Sequence, residues 1–319
     1  MGNTRIIGPL FDEVKGPALD YDRAGEAFVR LLNEHRRMRA NLLHVGHPPE
    51  HFYSPIPSAR DIETYLSWLK SQPINKDIPG IDTNEAGQLD LLRRIALYGE
   101  RCESWPEKQT DKCRYYYGNL MYSHGDAAML ITMLSELKPA RVMEIGSGFS
   151  SALMLDFDEF YTEGDPVNFS FIEPNDQRLK LLLRNQESAN LISRPVQELN
   201  LDDFKVLQAG DILFIDCSHI TKIGSDVNFI YHRVLPALAP GVWVHIHDIF
   251  GDFEYPEHFT RHRFYWNEQY LARAFLQFNS AYRIELWGDW LYRHHRETLL
   301  AALPLCERSA PQQIWLQRV

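Results

Sequence analysis

The chain has 319 residues, enough for one large domain or two modest ones. Its formal net charge of −10 argues against a long nucleic-acid footprint, and no apolar run approaches a membrane span. The opening stretch lacks the apolar core of a signal peptide. The four cysteines, Cys102, Cys113, Cys217 and Cys306, form no C-x-x-C pair, so a reduced, cytoplasmic protein without a zinc knuckle or disulfide framework is expected.

Phe28, Leu31, Leu32 and Met38 recur at helical spacing and predict a helix over 21–41. Residues 44–57 hold Pro48, Pro49, Pro55 and Pro57 and read as an irregular connection, whose His47 and His51 read as solvated rather than metal-binding. Helices are predicted over 62–70 and 84–103. The second carries Leu89, Leu91, Leu92, Ile95 and Leu97, a stripe that needs a surface to pack on. With no strand pattern before it, 1–114 is expected to be a mostly helical region that caps a site, forms a homodimer interface, or does both. The turn at 115–126 is crowded with Tyr115, Tyr116, Tyr117 and Tyr122 beside Asn119, Ser123, His124 and Asp126. An aromatic hinge and a cover over a ligand both remain open; on the second, Tyr117 and Asn119 touch the ligand. Residues 126–137 read as an amphipathic helix leading into the first strand.

Residues 141–145 form a short apolar strand that runs into Gly146-Ser147-Gly148 and a helix opened by Ser150 and Ser151. The glycines leave no side chain where a ligand must approach the backbone, and the first N–H groups of the helix lack partners and face the turn. Such a turn suits a ligand with a ribose and polar groups. Glu144, two positions before the first glycine, stands at the strand's carboxyl end, where open α/β sheets bind ligands. A carboxylate there repels a pyrophosphate and favours a cationic ligand, such as the amino group or sulfonium of S-adenosyl-L-methionine (SAM). A nicotinamide dinucleotide fits less well.

The Glu-x-Gly-x-Gly turn resembles the first motif of the class I SAM-dependent methyltransferases. The next strand, 169–172, ends in Glu173, and in that family an acid at this place holds both ribose hydroxyls. The resemblance therefore implies that Glu144, Gly146, Ser147, Gly148 and Glu173 contact the cofactor. Further strands are predicted over 191–195, 211–215, 242–246, 282–286 and 313–317, with helices among them at 177–190 and 229–238. Seven strands, the first five alternating with helices, indicate an α/β fold with a doubly wound, Rossmann-like sheet. The resemblance adds the strand order 3-2-1-4-5-7-6, the last strand antiparallel, in a methyltransferase domain over 115–319 behind the N-terminal helical cap.

The chemistry gathers at two strand ends. The fourth strand ends in Asp216-Cys217-Ser218-His219 and the fifth in His245-Ile246-His247-Asp248. The carboxyl ends of strands one, four and five border one crevice in this topology, so Asp216, His219, His247 and Asp248 are expected to converge near the methyl group, Asp216 also beside the cofactor. His245 sits deeper and reads as structural. Asp226 reads as the cap of a helix beginning near Val227. A hydroxyl nucleophile must lose a proton, for which His219 or His247 is the natural base; a metal that lowers the hydroxyl's pKa is the other route.

The run GDILFIDCSH, then VHIHDIFGDFEYP, then WNEQYLARAFLQFN looks like a branch of bacterial small-molecule methyltransferases. Its relatives include metal-dependent O-methyltransferases of catechols and macrolide sugars, which hold magnesium with an acid after the fourth strand and an Asp-Asp or Asp-Asn pair after the fifth. By position Asp216 matches the first acid, but the pair stands here as His247-Asp248. Magnesium prefers oxygen ligands; the set Asp216, His247 and Asp248 would suit manganese, iron or zinc, which leaves metal dependence open. No Asn-Pro-Pro-Tyr-like tetrapeptide follows the fourth strand, and with the acidic balance this points away from acceptors in nucleic acid. The expected activity is methyl transfer from SAM to an oxygen of a small-molecule or natural-product acceptor. An NAD-dependent oxidoreductase and a catalytically silent SAM-binding partner subunit are the alternatives.

Overall fold

The computed structural model describes residues 29–33, 47, 51–73, 75–162, 164, 166–184 and 189–319. The chain divides into two compact units, Met1–Gln72 and Pro73–Val319. In the first, helix α1, Ala59–Ser71, opens on Ser58. The Ser58 hydroxyl accepts from the Asp61 N–H, and the Asp61 carboxylate accepts from the Ser58 N–H, which satisfies two donors at the helix start. Residues 29–33 are helical, as the spacing around Leu31 and Leu32 predicts; the rest of the helix predicted over 21–41 lies outside the described residues. His47 and His51 stack on one another at 4.1 Å.

The second unit is built on a seven-stranded sheet: β1 Arg141–Ile145, β2 Asn168–Ile172, β3 Leu191–Ile192, β4 Ile212–Ile215, β5 Trp243–His247, β6 Tyr282–Trp287 and β7 Gln313–Arg318. The order is β3-β2-β1-β4-β5-β7-β6. β1 to β5 pair in parallel, and β7 runs antiparallel between β5 and β6. β4 and β5 are buried along their whole length, as parallel strands covered on both faces must be, hence the apolar run Ile212–Ile215. Register lines up one stripe across the sheet: Glu144 beside Phe214, Phe214 beside His245, His245 beside Trp315. His245 is packed inside this stripe, its ring 3.8 Å from Phe214 and edge-on to Trp315. β3 stops at Ile192 instead of reaching residue 195, because β2 ends at Ile172 and gives it only two partners. Pro195, which cannot donate to a ladder, then leads into a 3-10 turn, Val196–Glu198.

Helix α2, Glu85–Ile95, continues as a 3-10 segment, Ala96–Ser104. It buries Leu91, Leu92 and Ile95 almost completely. Its Gln88 side chain accepts from the Trp287 N–H at 2.7 Å and donates to the Thr83 carbonyl at 2.7 Å. The Asn84 amide donates to the Ile284 carbonyl, and the Trp290 indole N–H donates to the carbonyl of Lys76. Residues 75–114 are thus folded onto the β6 side of the sheet. The compact unit therefore begins at residue 73, whereas the sequence pattern changes near 114.

Helix α3, His124–Leu137, is buried on every side from His124 to Ser135 rather than amphipathic. The segments Ala96–Ser104 and Pro304–Glu307, α2, and helix α4, Phe149–Tyr161, enclose it, and a helix covered all round can be apolar all round. Helix α5, Gln177–Leu182, ends sooner than the stretch predicted over 177–190. Helix α6, Glu268–Leu276, follows the irregular stretch after β5. No helix among the described residues is long and apolar enough to cross a membrane.

Candidate active site

A cavity of about 510 Å³ opens at the carboxyl ends of β1, β2, β4 and β5, within the usual range for small-ligand sites. The glycine turn forms one part of its wall. Gly146 has φ +87°, and a Cβ built on it would stand 1.7 Å from the Asp216 carbonyl oxygen, so both the dihedral and the space require glycine. Gly148 N–H donates to the Ser151 hydroxyl. Glu173 accepts from the N–H of Ser147 at 3.2 Å and of Asn175 at 2.7 Å, tying the turn to the end of β2. Arg178 of α5 lines the cavity beside Gly148, its Cδ 3.2 Å from where a Gly148 Cβ would stand.

Glu144 stands behind the turn. It is fully buried, does not line the cavity, and accepts from the Ser150 hydroxyl at 2.6 Å and from that of Ser151. Burial pushes its carboxyl up to about 8 against the pull of the two serines. It holds the first turn of α4 in place, where a ligand contact was expected.

Asp216, His219, His247 and Asp248 meet on the same cavity wall. Asp216 and Asp248 sit at the ends of β4 and β5. His219 Nε2 lies 3.2 Å from Asp216 Oδ1 and 3.5 Å from Asp248 Oδ2. Its Nδ1–H donates to Glu268 Oε2 at 2.8 Å. His247 Nδ1 approaches the same two aspartates at 3.6 and 3.5 Å, and its Nε2 lies 3.6 Å from Asp126 Oδ2. None of these contacts has hydrogen-bonding geometry, so both His247 nitrogens are buried without a partner. The ligand atoms of Asp216, His219 and Asp248 lie within 4.8 Å of one another.

The charges fix one another. Burial opposes it, but the two histidines hold the Asp216 carboxyl down to about 2. Burial likewise opposes His219, yet Asp216 and Glu268 raise it to about 10. His247 is raised against burial by Asp248, Asp216 and Asp126. His245, dehydrated in the sheet and beside His247, is held below the usual imidazole range.

Residues 143–249, from β1 through the glycine turn and the ends of β4 and β5, match the family described as "Methyltransferase domain". An uncharacterized protein of Archaeoglobus fulgidus is 34% identical over 172 residues, which span 52% of this chain and 75% of the relative. The chain belongs to the class I SAM-dependent methyltransferases. Similar solved structures include the SAH-bound methyltransferase PaMTH1 of Podospora anserina, at 17% identity over 72% of this chain and 92% of that one, TM-score 0.37. They also include TomG, an O-methyltransferase of Streptomyces achromogenes involved in tomaymycin synthesis, at 13% identity over 81% and 96%, TM-score 0.37.

Among the residues singled out from the methyltransferase's sequence, Gly146, Ser147, Gly148, Glu173, Asp216, His219, His247 and Asp248 line one cavity. Tyr117 and Asn119 do not. The Tyr117 hydroxyl donates to the Cys102 carbonyl at 2.6 Å, and its ring stacks on His124. Asn119 bonds the backbone of Tyr116, Met121 and Tyr122 within its own turn. The aromatic turn reaches the cavity instead through Met121 and Tyr122. Asp226 does not cap the helix after β4: Ser225 does, and Asp226 accepts from the Ser218 N–H and hydroxyl. Sequence reasoning missed Glu268, Trp266 and Arg178, and placed Asp126 in the aromatic turn without its approach to His247. Glu268 and Trp266 carried a signal as members of the WNEQYL run.

Proposed function

We propose that this methyltransferase moves a methyl group from SAM to a hydroxyl oxygen of a small-molecule acceptor. The observation that carries the reading is the sharing of one cavity by the glycine turn with Glu173 and by the Asp216–His219–His247–Asp248 cluster. The cradle fits the cofactor. The Gly146 backbone passes too close to Asp216 for any side chain. A carboxylate has about four lone-pair sites, so Glu173 keeps acceptor capacity for ribose hydroxyls beyond its two backbone N–H partners. Glu144 acts from behind by fixing Ser150 and Ser151. Bound SAM supplies a methyl carbon activated by the adjacent sulfonium.

The chain's own residues orient the acceptor and take its proton. We assign the proton to His247, which lines the cavity with its Nε2 3.6 Å from Asp126 Oδ2 and neither ring nitrogen hydrogen-bonded. Because the surrounding carboxylates raise its pKa against burial, it accepts a proton only once its imidazole is neutral, so turnover should rise with pH. The donor set Asp216, His219 and Asp248 also fits a divalent ion, which when bound would make the hydroxyl more acidic. Tyr122, Met121 and Trp266 give the cavity an apolar side, which supports an acceptor that is partly apolar.

Calorimetric titration with S-adenosylhomocysteine (SAH) and, separately, with NADH tests the cofactor. Micromolar binding of SAH alone is expected, and binding of NADH alone would overturn the reading. Transfer of labelled methyl from SAM to a panel of hydroxylated small molecules tests the reaction. His247→Ala should lower turnover about 10²–10⁴-fold, the usual contribution of a positioned base, with SAH affinity unchanged. Undiminished turnover in that variant would remove His247 from the chemistry. A catalytically silent subunit would bind SAH and methylate nothing on the panel.

A further inference from the structure

His219 is held from several directions by the start of α6. The N–H groups of Asn267 and Glu268 both donate to the His219 carbonyl, at 3.0 and 3.1 Å. The Asn267 side-chain oxygen accepts from the Thr221 N–H at 2.6 Å. The Trp266 ring lies 4.4 Å from the imidazole. The fully buried Glu268 carboxylate takes the Nδ1–H. This clamp holds a strained backbone at His219, φ +57°, a region that costs non-glycine residues on the order of 1–3 kcal/mol and persists only where the surroundings enforce it; Asp248, at the end of β5, has φ +56°.

With Nδ1 committed to Glu268, the other nitrogen is aimed at Asp216 and Asp248. A bare nitrogen lone pair facing two carboxylate oxygens is repulsive unless a proton or a cation lies between them. Asp126, Asp216, Asp248 and Glu268 bring four carboxylates to the two imidazoles, and among the described residues none of the four has another ion-pair partner. His247, buried and unbonded, faces the same carboxylate pair. We propose that Glu268 is a positioning residue that presents His219 Nε2 as a nitrogen ligand, so that the cluster with Asp216 and Asp248 takes manganese, iron, cobalt or zinc in preference to magnesium. This rests on the methyltransferase reading of the same cavity. It departs from the ligand set taken from the sequence: His219 Nε2 stands 3.2 Å from Asp216 against 3.6 Å for His247 Nδ1, while both stand 3.5 Å from Asp248. Magnesium binds through oxygen and water and gains little from an imidazole, whereas imidazole suits the later divalent ions. A carboxylate behind a ligating histidine fixes its tautomer and raises its basicity.

The test needs no acceptor. Metal-depleted full-length protein, saturated with SAH, is titrated with cobalt(II) and followed by visible absorption. A single equivalent should bind with bands of a nitrogen-containing site, and a large excess of magnesium should fail to displace it. Glu268→Gln should weaken cobalt binding about 10–100-fold, the usual effect of losing such a partner, with SAH affinity unchanged. His219→Asn should lose the nitrogen signature. Displacement by magnesium at matching concentration, cobalt affinity unaltered by Glu268→Gln, or no cobalt binding at all would each overturn the inference. If Glu268→Gln does not fold, the His219→Asn spectrum and the magnesium competition on the unmodified protein still decide. Failure of the unmodified protein to bind SAH would count against the underlying reading instead, so the two failures are distinguishable.

Discussion

Gly146 is the residue at which the site can change least. A Cβ there would overlap the Asp216 carbonyl, and φ +87° adds strain for any L side chain. Gly146→Ala should therefore lower stability by more than the roughly 1–3 kcal/mol of dihedral strain alone and abolish SAH binding; a variant that melts like the parent and binds SAH would show that the turn can move. Glu144 makes a prediction about pH. Its carboxyl is held up at about 8, against an ordinary 4.5. Between those values the folded chain keeps a proton that the unfolded chain has released, so this group's contribution to stability falls as pH rises through the window. Glu144→Gln, which can accept from one of the two serines through its oxygen and donate to the other through its NH2, should flatten that fall when melting temperatures are compared from pH 5 to 9. Equal slopes would mean that another group titrates. At this scale Gly146, Glu173, Asp216, His219, His247 and Asp248 were legible because strand ends in an open α/β sheet share one crevice. Glu144 was legible as a position but not as a contact: which way its carboxylate turns depends on Ser150 and Ser151 in the next helix. Glu268 was invisible as a partner of His219 because 49 residues separate them and only the packing of α6 brings them together.

Among the elements, α2 shows how much of the fold depends on residues that resemble an appendage. Its Leu92 is fully buried against the core, and Leu92→Ala should cost about 2–5 kcal/mol, as large-to-small changes in a packed site do. Gln88→Ala would strip the Trp287 N–H of its acceptor and should cost about 1–3 kcal/mol, the penalty for an unsatisfied buried donor. Urea unfolding measures both. Effects below about 0.5 kcal/mol, the range of ordinary surface substitutions, would place α2 outside the cooperative core. The Leu89–Leu97 stripe announced that this helix packs on something, and Leu97, still exposed, marks where the 3-10 segment turns the stripe away. What it packs on was not legible, because β6 lies about two hundred residues later in the chain. The same limit explains α3. A helix with Met129, Ile131 and Met133 all buried is covered from several sides, and periodicity reports only one face.

For the whole molecule, the order of strands followed from the alternation of strand and helix and from the resemblance carried by the glycine turn, and the sheet has that order. The boundary of the folded unit did not follow, because a change of pattern near 114 marks where strands begin and not where packing ends. Contacts close the larger unit at Pro73, with Lys76, Gly80, Asn84 and Gln88 all bonded to β6 or its neighbours. We therefore expect a chain of residues 73–319 to melt cooperatively and to bind SAH within about twofold of the full chain, since differences under ~0.4 kcal/mol are within the spread of independent sites. A chain of residues 115–319 should behave differently. It would expose the surface that covers Leu91, Leu92 and Ile95, leave the Trp287 N–H and the Ile284 carbonyl without their partners, and uncover α3 along the side of Ala96–Ser104. Losing the burial of these three side chains, at about 1.5–3 kcal/mol each, is comparable with the roughly 5–15 kcal/mol by which domains are stable, so this shorter chain should aggregate or lack a sharp thermal transition. A soluble 115–319 chain with a cooperative melt and intact SAH binding would restore the boundary at 114. Light scattering on the same chains tests whether 1–72 carries a homodimer contact: a dimer of the full chain that becomes a monomer at 73–319 would assign it there, and an unchanged mass would not.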